Sequence, residues 1–456
     1  MSDPSMVPAP APAAAPLRRL EVRHAVAVCV GMVVGAGIFK SAPEVASQVD
    51  SDAMLFAAWL IGGLFSLIGA LCFAEMAAAF PDAGGDYHFL DRAYGRRLAF
   101  AFAWSRFAVI HSGSMAMLAF VFGDYLAQVI PLGAHGSALF AAGVIAALTV
   151  LNLRGVRVGV GTQVGLMSLV VFGLLAVFAG GVSLAVHGQA PLASAASGEG
   201  GVAPFGVAMV FVLLAYGGWS DAATLSSEMR DQRRGMLRAL LGGMLLVTVL
   251  YLLVNWAFWR GLGLGGLAAS KAPAADLMRL AFGRGGELLI VSVVAITAIS
   301  VINSLMIAGS RTTYAAARDL PALARIGVWN RERGVPPVAL LAQGGFALIL
   351  VLFAAGHRGF ATMVDYLSPV YWFFLMLSAI ALIRLRRLEP NAARPFKVPL
   401  YPWLPLAFAL NCAYVLYASL AYVRTGAVVG VAVLLFGVGL AWLLERRGQR
   451  WLGRRR

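Results

Sequence analysis

The sequence predicts an all-α polytopic membrane protein with twelve transmembrane helices, and three observations carry that expectation. Of 456 residues, 60% are apolar and only 12% charged, about half the charged fraction of an average soluble domain. The apolar residues gather into runs of about 20 or more, the length that crosses a bilayer as a helix. The 36 Lys and Arg punctuate those runs instead of forming one basic patch. The formal charge of +15 therefore reports orientation and gives no nucleic-acid partner. Composition excludes a soluble enzyme, a disordered chain and, with three cysteines, a disulfide scaffold.

Residues 1–19 include the low-complexity stretch PAPAPAAAP and are expected to form a disordered cytoplasmic tail. Twelve apolar runs follow, at 23–48, 53–80, 98–130, 136–152, 160–186, 204–228, 237–260, 285–315, 335–355, 362–386, 400–423 and 426–445. Residues 20–390 make a ten-helix transport core, 391–445 the last two helices and 446–456 a basic cytoplasmic tail. Cys29, Cys72 and Cys412 lie inside runs and read as small packing residues. With the N-terminus inside, 28 of the 36 cations fall in cytoplasmic segments and seven on the other side. Arg106 lies within run three. The positive-inside bias then puts both termini in the cytoplasm. The chain has no Asn-x-Ser/Thr sequon, which fits a multi-pass protein of a bacterial inner membrane.

Two runs do not read as ordinary helices. Run one carries Gly35-Ala36-Gly37-Ile38 in mid-membrane, and run six carries Ala215-Tyr216-Gly217-Gly218-Trp219. Glycine costs a helix about 1 kcal/mol relative to Ala, and broken backbone is tolerated in lipid only where protein or a cavity surrounds it. One such pair is satisfied by close helix packing. Two pairs, five runs apart, mark equivalent positions of two inverted five-helix repeats, the pointer to a transporter site at the bilayer midplane. The chemistry suits a zwitterion. N–H groups freed around Ala36 to Ile38 can hold a carboxylate, and carbonyls freed near Leu214 to Tyr216 can hold an ammonium group.

At these residues the sequence resembles the amino acid–polyamine–organocation (APC) superfamily, nearest its L-type amino acid transporter and bacterial amino acid permease branches. The matching residues are Gly31-x-x-x-Gly35-Ala36-Gly37-Ile38-Phe39, Glu75 with Pro81-x-x-Gly84-Gly85-x-Tyr87, and Ala215-Tyr216-Gly217-Gly218-Trp219 with Glu228. To these add Asn303 with Ser310-Arg311-x-x-Tyr314-x-x-x-Arg318-Asp319. The resemblance covers roughly 20–390. It implies a LeuT-type 5+5 inverted repeat with discontinuous helices 1 and 6, amino acid substrates and alternating access. Members often carry a Lys in run five in place of a sodium ion; that position falls on Val170 here. Gln232 stands where the family has Pro in Glu-x-x-x-Pro-x-Arg. The loop 131–136 lacks the cysteine that joins eukaryotic relatives to a heavy subunit, so no covalent heavy subunit is expected.

Further side chains are candidates because polar groups in a membrane are costly. Ser112, Asn255 and Asn303 join the glycine segments as substrate-binding candidates, each with interhelical hydrogen bonding as the plainer role. Tyr251 and Ser300 are similar polar groups, and Tyr216 and Trp219 are either a gate or core aromatics. Arg106, Asp221, Glu75 and Glu228 are gating or coupling candidates; Glu75 and Glu228, at cytoplasmic ends, suit Arg pairs better than substrate contact. His111 suits a hydrogen-bonded packing role. No metal-ligand spacing occurs. The function expected is secondary active transport of amino acids, by symport or exchange, with no catalytic residue and no organic cofactor. The coupling ion, proton or sodium, is left unassigned. A polyamine or organic-cation permease and a non-transporting amino acid sensor are the alternatives.

Overall fold

A computed structural model describes residues 26, 30–31, 33–80, 85–155, 160–188, 202–220, 235–318, 327–330, 332–421 and 425–453. Helices fall on all twelve apolar runs. In chain order they are α1 (Ile38–Ala46), α2 (Asp52–Ala79), α3 (Asp86–Tyr94), α4 (Arg96–Ser105), α5 (Ser112–Val129), α6 (Gly136–Leu153) and α7 (Val160–Val186). Then come α8 (Val202–Ala215), α9 (Gly235–Ala269), α10 (Pro273–Arg318), α11 (Pro337–Ala355), α12 (Phe360–Leu388), α13 (Trp403–Ala421) and α14 (Thr425–Gly453). Among the described residues nine helical stretches are long and apolar enough to cross a membrane, and Pro204–Ala215 and Thr425–Gly439 are shorter apolar helices. No strand occurs among the described residues; Asn330 and Val335 form an isolated bridge.

The outer surface has the chemistry of a lipid-facing protein. Leu245, Leu352 and Leu410 are 65–70% exposed, which water would penalise and hydrocarbon does not. Inside, Trp59, Tyr125, Tyr216, Tyr251, Tyr366 and Trp372 are fully buried. Three features depart from plain apolar helices. Run three is α4 and α5 joined by a π-helical turn, Arg106–His111. The gap between runs seven and eight, read as loop in the sequence, is largely helical. There α9 bends at Gly263 (φ 68°) and α10 at Gly283 (φ 65°), positive φ values that glycine adopts without a Cβ clash. A short helix, α3, fills part of the segment between runs two and three.

Packing places run one's second half at the centre: α1 lies against α8 and α9, while α9 also packs on α2 and α7. In α2, Gly62 and Gly63 permit that approach, since a Cβ on either would run into Val212 or Thr248.

Candidate functional site

Both glycine segments interrupt their helices. In run one the helical turn before the break ends at Val33, and the Val34 N–H still donates to the Val30 carbonyl at 2.7 Å. Residues 34–37 are not helical, and α1 starts at Ile38. Its first bonds run from Lys40 and Ser41 N–H to the Gly37 carbonyl, at 3.0 and 2.9 Å. The N–H groups of Ile38 and Phe39 therefore precede the hydrogen-bond ladder, as the first donors of any helix must. In run six α8 ends at Ala215, a turn covers Tyr216–Gly218, and Gly218 has φ +99°.

One side chain joins the two breaks. The Tyr251 hydroxyl lies 3.2 Å from the Val33 carbonyl and 2.9 Å from the Ala215 carbonyl. Its hydrogen is shared between the last turn before the first break and the last residue before the second. Tyr216 packs against Tyr251 with tilted rings whose centroids are 4.9 Å apart and donates its hydroxyl to the Trp59 carbonyl at 3.0 Å. The breaks are thus neighbours, with the N-terminal end of α1 and the C-terminal end of α8 facing a common region.

The two breaks differ in what they leave open. Among the described residues a Cβ built on Gly35 or Gly37 meets no atom within 4 Å, and Gly37 has an ordinary helical φ of −59°. Neither packing nor backbone conformation demands glycine there, so these glycines leave space. Carbonyls of the second break are partly committed: Leu214 accepts from Gly217 N–H at 3.0 Å and Ala215 from Tyr251. The expectation of free carbonyls from Leu214 to Tyr216 narrows accordingly. Asn255, one turn beyond Tyr251, supplies another acceptor. Its Nδ2 donates to the Tyr251 carbonyl at 2.8 Å, and its fully buried Oδ1 accepts from no protein group in the described structure.

The other candidates separate. Ser112 donates to the Phe107 carbonyl of the π turn at 2.8 Å and accepts from Gln343 Nε2 at 2.9 Å. Asn303 accepts from Asn152 Nδ2 at 2.7 Å. Both are engaged between helices, and neither bond involves a residue of either break. Trp219 is packed edge-on against Phe73 and Phe408, at 5.2 and 5.7 Å. The Arg106 guanidinium lies 5.8 Å from the Phe102 ring centroid. His111 is buried, its Nδ1 without a hydrogen bond among the described residues. Asp221 and Glu228 lie outside the described residues. In run five, Val170 is buried. One turn on, a Cβ on Gly173 would lie 2.7 Å from Val293 of α10 and 3.7 Å from Phe39, so the helices meet there through apolar groups.

Glu75 sits apart from the breaks in a closed charge cluster. Fully buried, it takes both guanidinium arms of Arg386, at 2.7 and 2.6 Å, and the Val398 N–H at 2.6 Å. Arg394 Nε is 3.5 Å away, and Arg386 also covers the Tyr401 ring at 3.8 Å. Beside it, on the surface between α3 and the end of α12, Arg92 grips Glu389 at 2.5 and 2.6 Å. Those hydrogen bonds hold the Glu389 carboxyl below the usual carboxylate range and raise Arg92. The sequence pointed to an Arg partner for Glu75 but not to which one. It also gave Tyr251 no structural part, since nothing local shows which carbonyls a tyrosine will reach.

A multi-span helical membrane protein with two interrupted helices meeting at its centre is the architecture of a membrane transporter. The family model for amino acid permeases matches residues 20–443, and the chain belongs to that family of amino acid transporters. It is 25% identical over 447 residues to the serine/threonine exchanger SteT of Bacillus subtilis, covering 94% of this chain and 97% of that protein. It is 26% identical over 434 residues to the human cystine/glutamate transporter, covering 93% and 85%. With the mouse b(0,+)-type amino acid transporter 1 it shares 27% identity over 405 residues, covering 87% and 81%.

Proposed function

We propose that this transporter is a secondary active carrier working by alternating access around the two breaks. Its substrate carboxylate meets N–H groups near Ala36, Gly37 and Ile38, where the α1 dipole adds positive potential. The substrate ammonium group meets the remaining carbonyl lone pairs near Tyr216 and the Asn255 side-chain oxygen. In this reading all twelve runs cross the bilayer, the first ten as a LeuT-type inverted repeat. The 28 cations assigned to cytoplasmic segments support both termini lying inside, at the inner membrane. No covalent heavy subunit and no organic cofactor enter the reading.

The Tyr251 hydroxyl carries it, because by reaching Val33 and Ala215 at once it puts a donor-rich helix start beside an acceptor-rich helix end. Neither end needs an ionic side chain, which suits a zwitterion in a charge-poor core. Uptake of a labelled amino-acid panel into proteoliposomes tests it, with and without proton, sodium and internal-substrate gradients. Saturable uptake of at least one amino acid is expected, with competition by the free acid and none by its methyl ester. Stimulation by internal substrate identifies exchange, and stimulation by an ion gradient identifies symport. Flat results across the panel, or uptake of polyamines alone, refute the reading. Substrate binding without flux would make the chain a sensor.

A further inference from the structure

Three residues beyond Gly37, a cation is held inside the protein. Lys40 is 7% exposed, and its Nζ lies 2.8 Å from Asp124 Oδ2 and 2.7 Å from the Lys271 carbonyl, to which it donates. The second Asp124 oxygen takes the Ser137 hydroxyl of α6 at 2.6 Å. The next residues along both helices repeat the connection. Tyr125 donates its hydroxyl to the Phe39 carbonyl at 2.9 Å and accepts the Ala274 N–H at 3.3 Å. Adjacent residues of α1, 39 and 40, are therefore pinned to adjacent residues of α5, 124 and 125. The pins also reach Lys271, between α9 and α10, and Ala274, at the start of α10.

We propose that Lys40 is a positioning residue for transport: a latch that closes the substrate region at this end and releases when the region opens there. The inference rests on the transport reading. Burial of an ion pair costs several kcal/mol of desolvation per ion, which close pairing and added hydrogen bonds only approximately return. Such a pair is balanced. When α1 swings away from α5, water enters and hydrates both ions, so opening loses little that closing had gained. An apolar seam of the same size has no such return, because opening it exposes hydrocarbon to water. Removing one partner tips the balance, since the remaining charge is buried and uncompensated only in the closed arrangement.

The test reads the gate without needing flux. Cys29, Cys72 and Cys412 are replaced by Ala, and Ala36, fully buried here, is replaced by Cys. Intact expressing cells are treated with a membrane-impermeant methanethiosulfonate reagent. Lys40→Met and Asp124→Asn should each raise the labelling rate at least about tenfold, a bias of about 1.4 kcal/mol, while Lys40→Arg should label as the parent does. Elution volume in detergent confirms folding, and if Lys40→Met fails it, Asp124→Asn decides. Parental labelling rates in the folded variants overturn the latch, whatever the uptake. Faster labelling supports it even if the wild-type chain moves no amino acid, an outcome that would remove the transport reading alone.

Discussion

The break in run one and the break in run six have similar sequences and different structural reasons for their glycines. At Gly35 and Gly37 a Cβ would meet nothing within 4 Å among the described residues. At Gly217 a Cβ would lie 2.9 Å from the Leu214 carbonyl, and Gly218 holds φ +99°. Run six needs glycine to build its own turn; run one has glycine to leave room. The difference teaches that the first break leaves room beside α1, where the proposed substrate carboxylate would sit, while at the second break Tyr216, Tyr251 and Trp219 are buried. Glycine that is required by neither backbone nor packing marks the approach of another molecule.

Substitutions can break that contrast, and the largest cost in stability is expected at the side chain uniting the two sites. Tyr251→Phe leaves two buried carbonyls without their donor and should cost about 1–3 kcal/mol, read as a lower melting temperature in detergent together with impaired uptake. An unchanged melting temperature would mean that the breaks are held together by other contacts. Gly218→Ala comes next. Its positive φ should cost on the order of 1 kcal/mol, with melting and uptake falling together. Gly35→Ala should leave melting within about 0.5 kcal/mol of the parent, as substitutions in open space do, while slowing uptake. The smallest effect is expected far from both breaks. Arg92 holds Glu389 ionised below the usual carboxylate range, so their attraction is complete above the ordinary carboxylate pKa and fades as pH falls through the lowered one. Arg92 is exposed and Glu389 partly so, so Glu389→Gln should cost no more than about 0.5 kcal/mol at pH 7. That difference should shrink further in acid, and uptake should be unaffected.

Much of this was legible from the chain because bilayer thickness imposes a length that composition reveals. Each apolar run carries a helix, and the glycine clusters at 35–37 and 217–218 mark both interruptions. What stayed hidden depends on distant partners. Glu75 signals a need for a cation, but Arg386 is distant in sequence, and the Val398 N–H that completes the cluster has no side-chain signature. Lys40 and Asp124 carry no sign of each other in the sequence, because pairing across helices leaves no local trace. Polar residues within runs were the least decidable. Ser112 and Asn303 bond between helices, Asn255 keeps a free acceptor beside Tyr251, and the sequence presents all three alike. The π turn at 106–111 has no pattern that distinguishes it from α-helix, though Ser112 bonds to one of its carbonyls, that of Phe107.

The central claim, that the open break in run one holds the substrate carboxylate, is tested most directly by Gly37→Leu. Amino acid uptake into proteoliposomes is measured beside the elution volume and melting temperature of the same preparation, with Gly37→Ala as the small-volume control. The expected result is a folded protein whose uptake falls at least about a hundredfold, equivalent to about 2.7 kcal/mol, with Gly37→Ala in between. Parental uptake by folded Gly37→Leu would contradict the claim, because the space that glycine leaves would then belong to no ligand.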